Sequence, residues 1–534
     1  MNNPKVRSLY QSFKQRFEHF SRSAPADIFR RSKIGLEKES LRVASTGGIA
    51  QTTHPRAFGS ALTHPYITTD YSEALLEFVT APYSNKSEML RFLADVQTFV
   101  YSKLEDEILW ATSMPCVLAG EPSIQIAKYG DSNLGQMKTI YRRGLGHRYG
   151  RVMQVIAGVH FNYSFADDFW KFYQTIEQNN VDQKTFVATS YFQLIRNFQR
   201  NGWLIPYLFG SSPAVCKSFL GGGATDMELF DKSTYYYPYA TSLRTGDIGY
   251  QNSKEKELGI RILYDSLHTY VASLSHAINT PNAAYAQLGV KVNGQYEQLN
   301  GNLLQIENEY YSSVRPKQIA GSFEMPVNAL RDRGVAYVEL RSMDINPYEA
   351  LGVSEKSIYF LETFSLFCLL HDSPITSEQE YLQNSRNLLN VAHNGRKPGL
   401  SLLRGDQNIA LKTWAFELFE LMDGIAELLD QKHKTKKYTT AVSHYRKNIE
   451  DPDSTISAQM INEMRENKES FFHFSLRKSQ QHSEYFKKQK LSAEQEKMFS
   501  QLSENSIKKQ IEIEQSDTIS LDEFLAAYFL QSKV

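Results

Sequence analysis

Glu37 and Glu39 stand two residues apart in Ile34–Val43, IGLEKESLRV, a segment that alternates like a strand. On a pleated strand both carboxylates share one face and Leu36 and Lys38 the other, with the two glutamate Cα atoms about 6.7 Å apart. At an effective dielectric near 20 their repulsion is about 2.5 kcal/mol, which a cation between them removes. A second acidic segment is Thr68–Thr80, TTDYSEALLEFVT, where Asp70, Glu73 and Glu77 lie among Leu75, Leu76, Phe78 and Val79. Glu77, inside the apolar LLEFV run, is either on the wet side of a strand or buried with a partner. In Val159–Ser164, VHFNYS, His160 and Asn162 share a face, and in Tyr337–Ser342, YVELRS, Glu339 and Arg341 do. Tyr239–Asn252 and Gln305–Lys317 are polar and aromatic together.

If these faces converge, Glu37, Glu39, Asp70, Glu77 and Glu339 meet in one cavity with His160. Such a cluster repels itself unless divalent cations sit in it. Oxygen ligands with at most one imidazole favour Mg²⁺ or Mn²⁺ over Zn²⁺. An antiparallel sheet with one wet face gives the same alternation, and His160 alone is more commonly a hydrogen-bonded structural residue. Spacing leaves both readings open.

Strands must carry these residues and helices must back them. Up to about residue 350 the chain mixes alternating and helical segments, with turns at His54-Pro55, Ser212-Pro213, Gly221-Gly222-Gly223 and Asn346-Pro347. After Gly424 there is no glycine and one proline, Pro452, so the tail is expected to be almost all helix. Phe524, Tyr528 and Phe529 give its last segment an apolar face. Val6, Tyr10, Phe13, Phe17 and Phe20 form the stripe of an amphipathic first helix. The expected division is residues 1–33 as a helix packed on the core, 34–375 as a mixed α+β core, and 376–534 as a mostly helical region.

The 534 residues carry 59 Lys+Arg against 59 Asp+Glu, with 41% hydrophobic and 22% charged residues. That excludes a mainly disordered, collagen-like or disulfide-miniprotein chain. Zero net charge argues against non-specific nucleic-acid binding. The cluster Lys432, Lys434, Lys436 and Lys437 reads as a solvated helix end. Three cysteines, Cys116, Cys216 and Cys368, show no disulfide framework and no metal spacing, so a reducing, cytoplasmic setting is expected. No run reaches a membrane span, and the start has no signal-peptide core. Gly221–Gly223 has no phosphate-loop continuation and reads as a plain loop.

Eight collinear segments carry a resemblance: IGLEKESLRV, GSALTHPYITTDYSEALLEFVT, SMPC, YGRVMQVIAGVHFNYS, PYLFGSSPAVC, YYYPYATSLRTGDIGY, LQIENEYYSSVRPK and VAYVELRSMDINPYEALGV. In order from about Ile34 to GRKPGL at Gly395–Leu400, they are similar to the monofunctional bacterial glutamate–cysteine ligases. The resemblance implies a glutamine-synthetase-like antiparallel β funnel flanked by helices, with metal ligands on its inner face. It also implies a reaction: ATP phosphorylates the γ-carboxylate of L-glutamate and the amine of L-cysteine displaces phosphate, the first step of glutathione synthesis.

Carried onto matching positions, the resemblance implies that Glu37, Glu39, Asp70, Glu77, His160 and Glu339 hold Mg²⁺. It implies that Arg341 neutralises the transferring phosphoryl group, and that Arg244, Gln154 and Asn162 hold glutamate. Tyr141, Tyr250 and Tyr311 correspond to the cysteine pocket. Asp70 is the expected general base, although a metal ligand is a poor one. The partners implied are small molecules only, ATP and the two amino acids, with a monomer acceptable for a chain this large. A ligase accepting another amine is a close rival, since a thiol is weakly read by a pocket. A non-catalytic nucleotide-binding descendant is a rival of another class, disfavoured by the intact acidic set and Arg341. A structural or nucleic-acid-binding protein ranks last.

Overall fold

A computed structural model describes residues 10–249 and 259–533. Seven strands form the central sheet: β1 (Lys33–Ala44), β2 (Ile67–Thr69), β3 (Leu75–Val79), β4 (Glu107–Leu109), β5 (Val159–Ser164), β6 (Val314–Lys317) and β7 (Tyr337–Met343). Their order is β6-β7-β5-β1-β3-β2, with β4 paired to the far end of β1, and every pairing is antiparallel. The expected α+β class with an antiparallel sheet is what the chain adopts.

Alternation sets the two faces. Leu36, Phe78, Phe161 and Leu340 are buried behind the sheet, where helix α1 (Gln11–Ser23) and helix α2 (Lys86–Lys103) belong to the surrounding helical layer. Lys38, on the same side of β1, is buried as well and donates to Gln97 Oε1 of α2 at 2.7 Å. Asn85 caps α2 by accepting from the backbone of Ser87 and Glu88. In α1, Phe13 and Phe20 are buried and Phe13 meets Phe367 edge-on. That is the docked first helix its stripe predicted, while Val6 lies outside the described residues.

The opposite face of the sheet looks into a cavity. Helix α3 (Asn133–Tyr149) and the start of helix α5 (Pro326–Arg333) border it, and helix α4 (Leu267–Asn279) packs against α5. Beyond Gly424 the chain is helical throughout its ordered elements, as the missing glycines predicted, and it ends in α6 (Ala493–Ser516) and α7 (Leu521–Leu530). A main hydrophobic core runs from Tyr10 to Tyr528, so the tail packs into the same interior as the sheet. No helix among the described residues is long and apolar enough to cross a membrane.

One expectation is overturned. The cysteines were read as lacking a disulfide pattern, yet Cys116 and Cys216 are bonded, with Cα atoms 5.5 Å apart across a separation of 100 residues. The pairing joins the SMPC loop to the strand Ala214–Cys216, and no local sequence spacing announces a contact that distant. Cys368 remains a buried free thiol.

Candidate active site

Strand register assembles the acidic face. Glu37 of β1 stands opposite His160 of β5, and Glu39 opposite Glu77 of β3. On the other side of β5, Asn162 faces Glu339 of β7, which in turn faces Arg315 of β6. Asp70 follows β2 immediately, and its backbone N–H donates to Leu75 O to close the turn into β3. Its carbonyl accepts from Tyr129 OH at 2.8 Å and from Arg142 Nε, so the turn is held from outside. Glu73 is turned elsewhere and accepts from the backbone of His54 and Lys128.

These side chains line one cavity of about 590 Å³. Glu37, Glu39, Asp70, Glu77, His160 and Glu339 all border it, and so do Arg244, Arg341, Gln154, Tyr141 and Tyr311. Asn162 does not border it. Its Nδ2 donates to Glu37 Oε1 at 2.9 Å, which fixes that carboxylate instead. Tyr250 lies outside the described residues. Sequence reasoning passed over Arg315 and Lys317, although the segment ending in VRPK contained them. On an alternating strand opposite Glu339 they share its face, and both border the cavity.

His160 is the hub of the acidic set. Its Nδ1 is 3.1 Å from Glu37 Oε2 and 3.8 Å from Glu339 Oε1, and its Nε2 is 3.9 Å from Glu39 Oε1. Glu39 Oε2 accepts from the Gly158 N–H at 2.6 Å. Glu339 is held by cations, with Arg341 Nη1 at 3.0 Å and Lys317 Nζ at 3.5 Å. The β5–β7 register shifts between Leu340 and Met343, a bulge beside Arg341 of the kind that re-aims side chains next to sites.

Charge divides the carboxylates into two groups. Burial, reinforced by Glu37, Asp70 and Glu39, pushes the Glu77 carboxyl well above its ordinary range. Burial also raises Glu39, against the pull of His160. Burial and Glu339 push Glu37 up, but the hydrogen bond and charge of His160, with Lys317, outweigh them and hold it low. Burial is likewise overcome at Glu339, where Lys317, Arg341, His160 and Arg315 hold the carboxyl well below its usual value.

The donor set fits a hard divalent cation. Single ligand atoms of Glu37, His160 and Glu339 lie within 4.8 Å of one another. Glu339 Oε2 is buried and lacks a hydrogen-bond partner. At Glu77, repulsion from Glu37, Asp70 and Glu39 adds to burial, and a cation among these carboxylates would relieve it.

Arg244 is the buried cation at the cavity floor. Its Nη2 donates to Arg341 O at 2.9 Å and its Nη1 lies 3.8 Å from Asp344 Oδ1. Asp344 is anchored by the Ser211 N–H at 2.8 Å and by Ser242 Oγ at 2.9 Å. Gly158 makes room for this arginine, because a Cβ there would fall 2.0 Å from Arg244 Nη2. The arrangement offers fixed cations for phosphoryl and carboxylate oxygens, and oxygen donors for metal ions, inside one enclosure.

Comparison with known proteins agrees. The family model described as glutamate–cysteine ligase matches residues 17–391. A glutamate–cysteine ligase of Alcanivorax borkumensis is 45% identical over 501 residues, 93% of this chain and 95% of that protein. One from Pseudomonas paraeruginosa is 46% identical over 494 residues, 92% and 93% of the two chains. The crystal structure of the Francisella tularensis glutamate–cysteine ligase in complex with AMP superposes with a TM-score of 0.88 at 36% identity, covering 94% of this chain and 98% of that one. A bifunctional glutathione synthetase from Pasteurella multocida shares the fold, with a TM-score of 0.72 at 23% identity, over 92% of this chain and 58% of that one. With residues 17–391 matched by the family model and most of its length matched by these relatives, the chain belongs to the glutamate–cysteine ligase family.

Proposed function

We propose that the cavity on the sheet's acidic face joins L-glutamate to L-cysteine at the expense of ATP. An oxygen of the glutamate γ-carboxylate attacks the γ-phosphorus, and ADP leaves. The cysteine amine then attacks the acyl carbon, phosphate leaves, and the amine loses its proton. The products are γ-glutamylcysteine, ADP and phosphate. The observation that carries this reading is the enclosure of Glu37, Glu39, Asp70, Glu77, His160 and Glu339 with Arg315, Lys317 and Arg341 around one space.

Phosphoryl transfer is largely positioning and charge neutralisation. Glu37, Glu39, Asp70, Glu77, His160 and Glu339 are the groups that would hold Mg²⁺, or Mn²⁺, and the bound ions supply neutralisation of the triphosphate. Arg341 holds the transferring phosphoryl oxygens, helped by Arg315 and Lys317. Arg244 pairs with the glutamate α-carboxylate in the fork geometry that suits it, and Gln154 lies beside it. Asn162 acts on glutamate through Glu37, the group it holds. Tyr141 and Tyr311 form an aromatic pocket for cysteine, with Tyr250 as a further member. Asp70 takes the amine proton. We further assign the chain to the cytoplasm as a monomer with small-molecule substrates only, although the Cys116–Cys216 bond is unusual for a reducing compartment. The three-part division at residues 33/34 and 375/376 completes this reading.

The test is phosphate release from MgATP with glutamate, with and without cysteine, scored beside mass detection of the dipeptide. Release that requires both amino acids and equals dipeptide formed supports the ligase. Release with glutamate and a better turnover of another amine overturns the cysteine assignment. ATP and metal binding without turnover overturns catalysis altogether.

A further inference from the structure

The last helix of the chain reaches the cavity. Tyr528 of α7 borders the same space as the carboxylates, although it is remote from every strand in sequence. Only 7% of its surface is exposed. It meets Phe323 edge-on with ring centroids 5.8 Å apart, and Phe524, one turn earlier, meets the same ring at 5.0 Å. The apolar stripe of the tail is therefore docked on the loop that follows β6.

That docking is clamped on two sides. Asn133 Nδ2, at the start of α3, donates to Ile519 O at 2.9 Å. Past the helix, Gln531 Nε2 donates to Phe323 O at 2.9 Å, and Ser532 Oγ donates to Asn279 Oδ1 of α4 at 2.9 Å. The tail thus ties the start of α3, the loop after β6 and the end of α4 together.

Position along the cleft identifies the occupant. Leu134 and Met137, on the first turns of α3, border the cavity together with Tyr528, and α7 packs on α3. Tyr141 lies about 10 Å further along the helix axis from Leu134, toward the interior. β6 brings Arg315 and Lys317 to the same cavity and then runs into the loop whose Phe323 meets Tyr528. An apolar, aromatic wall beside two cations suits a flat base attached to a polyphosphate. Free amino acids of the size of glutamate and cysteine offer no comparable flat surface.

We propose that Tyr528 forms part of the wall that receives the base of ATP, and that α7 is the clasp that holds this wall in place. The assignment rests on the ligase reading. In the full-length enzyme, Tyr528→Ala raises the KM for ATP about five- to tenfold, the size of one aromatic contact. The KM values for glutamate and cysteine stay within twofold, kcat at saturating ATP is kept, and Tyr528→Phe behaves as wild type. An unchanged KM for ATP overturns the proposal, and so does an equal rise in all three KM values, which marks a generally loosened cleft. Tyr528→Trp supplies a reading that needs no turnover. Its fluorescence should respond to ATP alone and not to glutamate alone, and silence toward ATP overturns the proposal. Absence of ligation by the wild-type chain would overturn the ligase reading while this nucleotide response still decides the role of Tyr528.

Discussion

Glu77 holds the conflict between stability and chemistry in a single side chain. Its carboxyl is raised well above the ordinary value of 4.5, first by burial and then by Glu37, Asp70 and Glu39. Folding therefore favours its protonated form. That contribution is complete below the ordinary carboxyl value and is lost as pH rises through the folded-state value. In metal-free protein at pH 7.5, Glu77→Gln should stabilise the fold by about 1–3 kcal/mol, because it removes a carboxyl that folding must either bury charged or protonate, without removing its volume. The gain should vanish near pH 4, where the wild-type carboxyl is protonated. Urea denaturation in EDTA across that pH range checks both statements, and the same variant should lose at least about a hundredfold in ligation. Arg341 makes the complementary case. It sits 3.0 Å from Glu339 Oε1 and is held protonated by Glu339, Glu39 and Glu37 against the cost of its burial. Arg341→Lys should lower kcat about a hundredfold with little change in the KM for cysteine, since a point charge replaces a planar fork. Steady-state kinetics with each substrate varied in turn decides it. The acidic residues and Arg341 were legible from their types and alternation. Arg315 and Lys317 obeyed the same alternation but stood in a segment read as mixed polar and aromatic.

Strands decide where those side chains meet. The cavity face exists because β1 carries Glu37 and Glu39 between β5 and β3, so His160 and Glu77 arrive opposite them. A one-residue slip of either neighbour would send its carboxylate or imidazole to the helical side. The entry to β5 adds a steric requirement. Gly158 donates to Glu39 Oε2 at 2.6 Å, and its missing Cβ leaves the space that Arg244 Nη2 occupies. Gly158→Ala forces the guanidinium away by an ångström or more, so kcat/KM for glutamate should fall about 10- to 100-fold. The KM for ATP should be unchanged. Isothermal titration with glutamate, beside ATP titration of the same sample, separates that local effect from general damage. The alternation of β1, β5 and β7 was readable from sequence because one face is apolar and buried. The role of Gly158 was not, because a space is defined by what crosses it and Arg244 comes from a distant turn.

At the scale of the whole molecule, distant segments are tied together. The Cys116–Cys216 bond closes a loop of 100 residues, and the last helix braces the cleft from the far end of the chain. Unreduced, denatured protein should show one reactive thiol, Cys368, on titration, and three would refute the bond. Cys116→Ser should cost the oxidised protein about 2–5 kcal/mol in denaturant melts and leave the reduced protein unchanged. The sequence alone determined the strands that carry Glu37 and Glu39, His160 and Glu339, the helical tail, the docked first helix and the identities of the charged residues. Those follow from local periodicity and from where glycine and proline are absent, which neighbouring residues decide. The ordered segments that resemble the ligases also reached the family and the reaction before any coordinate. Tertiary structure decided what no local rule contains: strand order, which put Glu77 opposite Glu39; the cysteine pairing; and Tyr528 in the cavity wall. Each is a contact between residues far apart in the chain, and its energy depends on burial and charge that exist only once the whole sheet is covered.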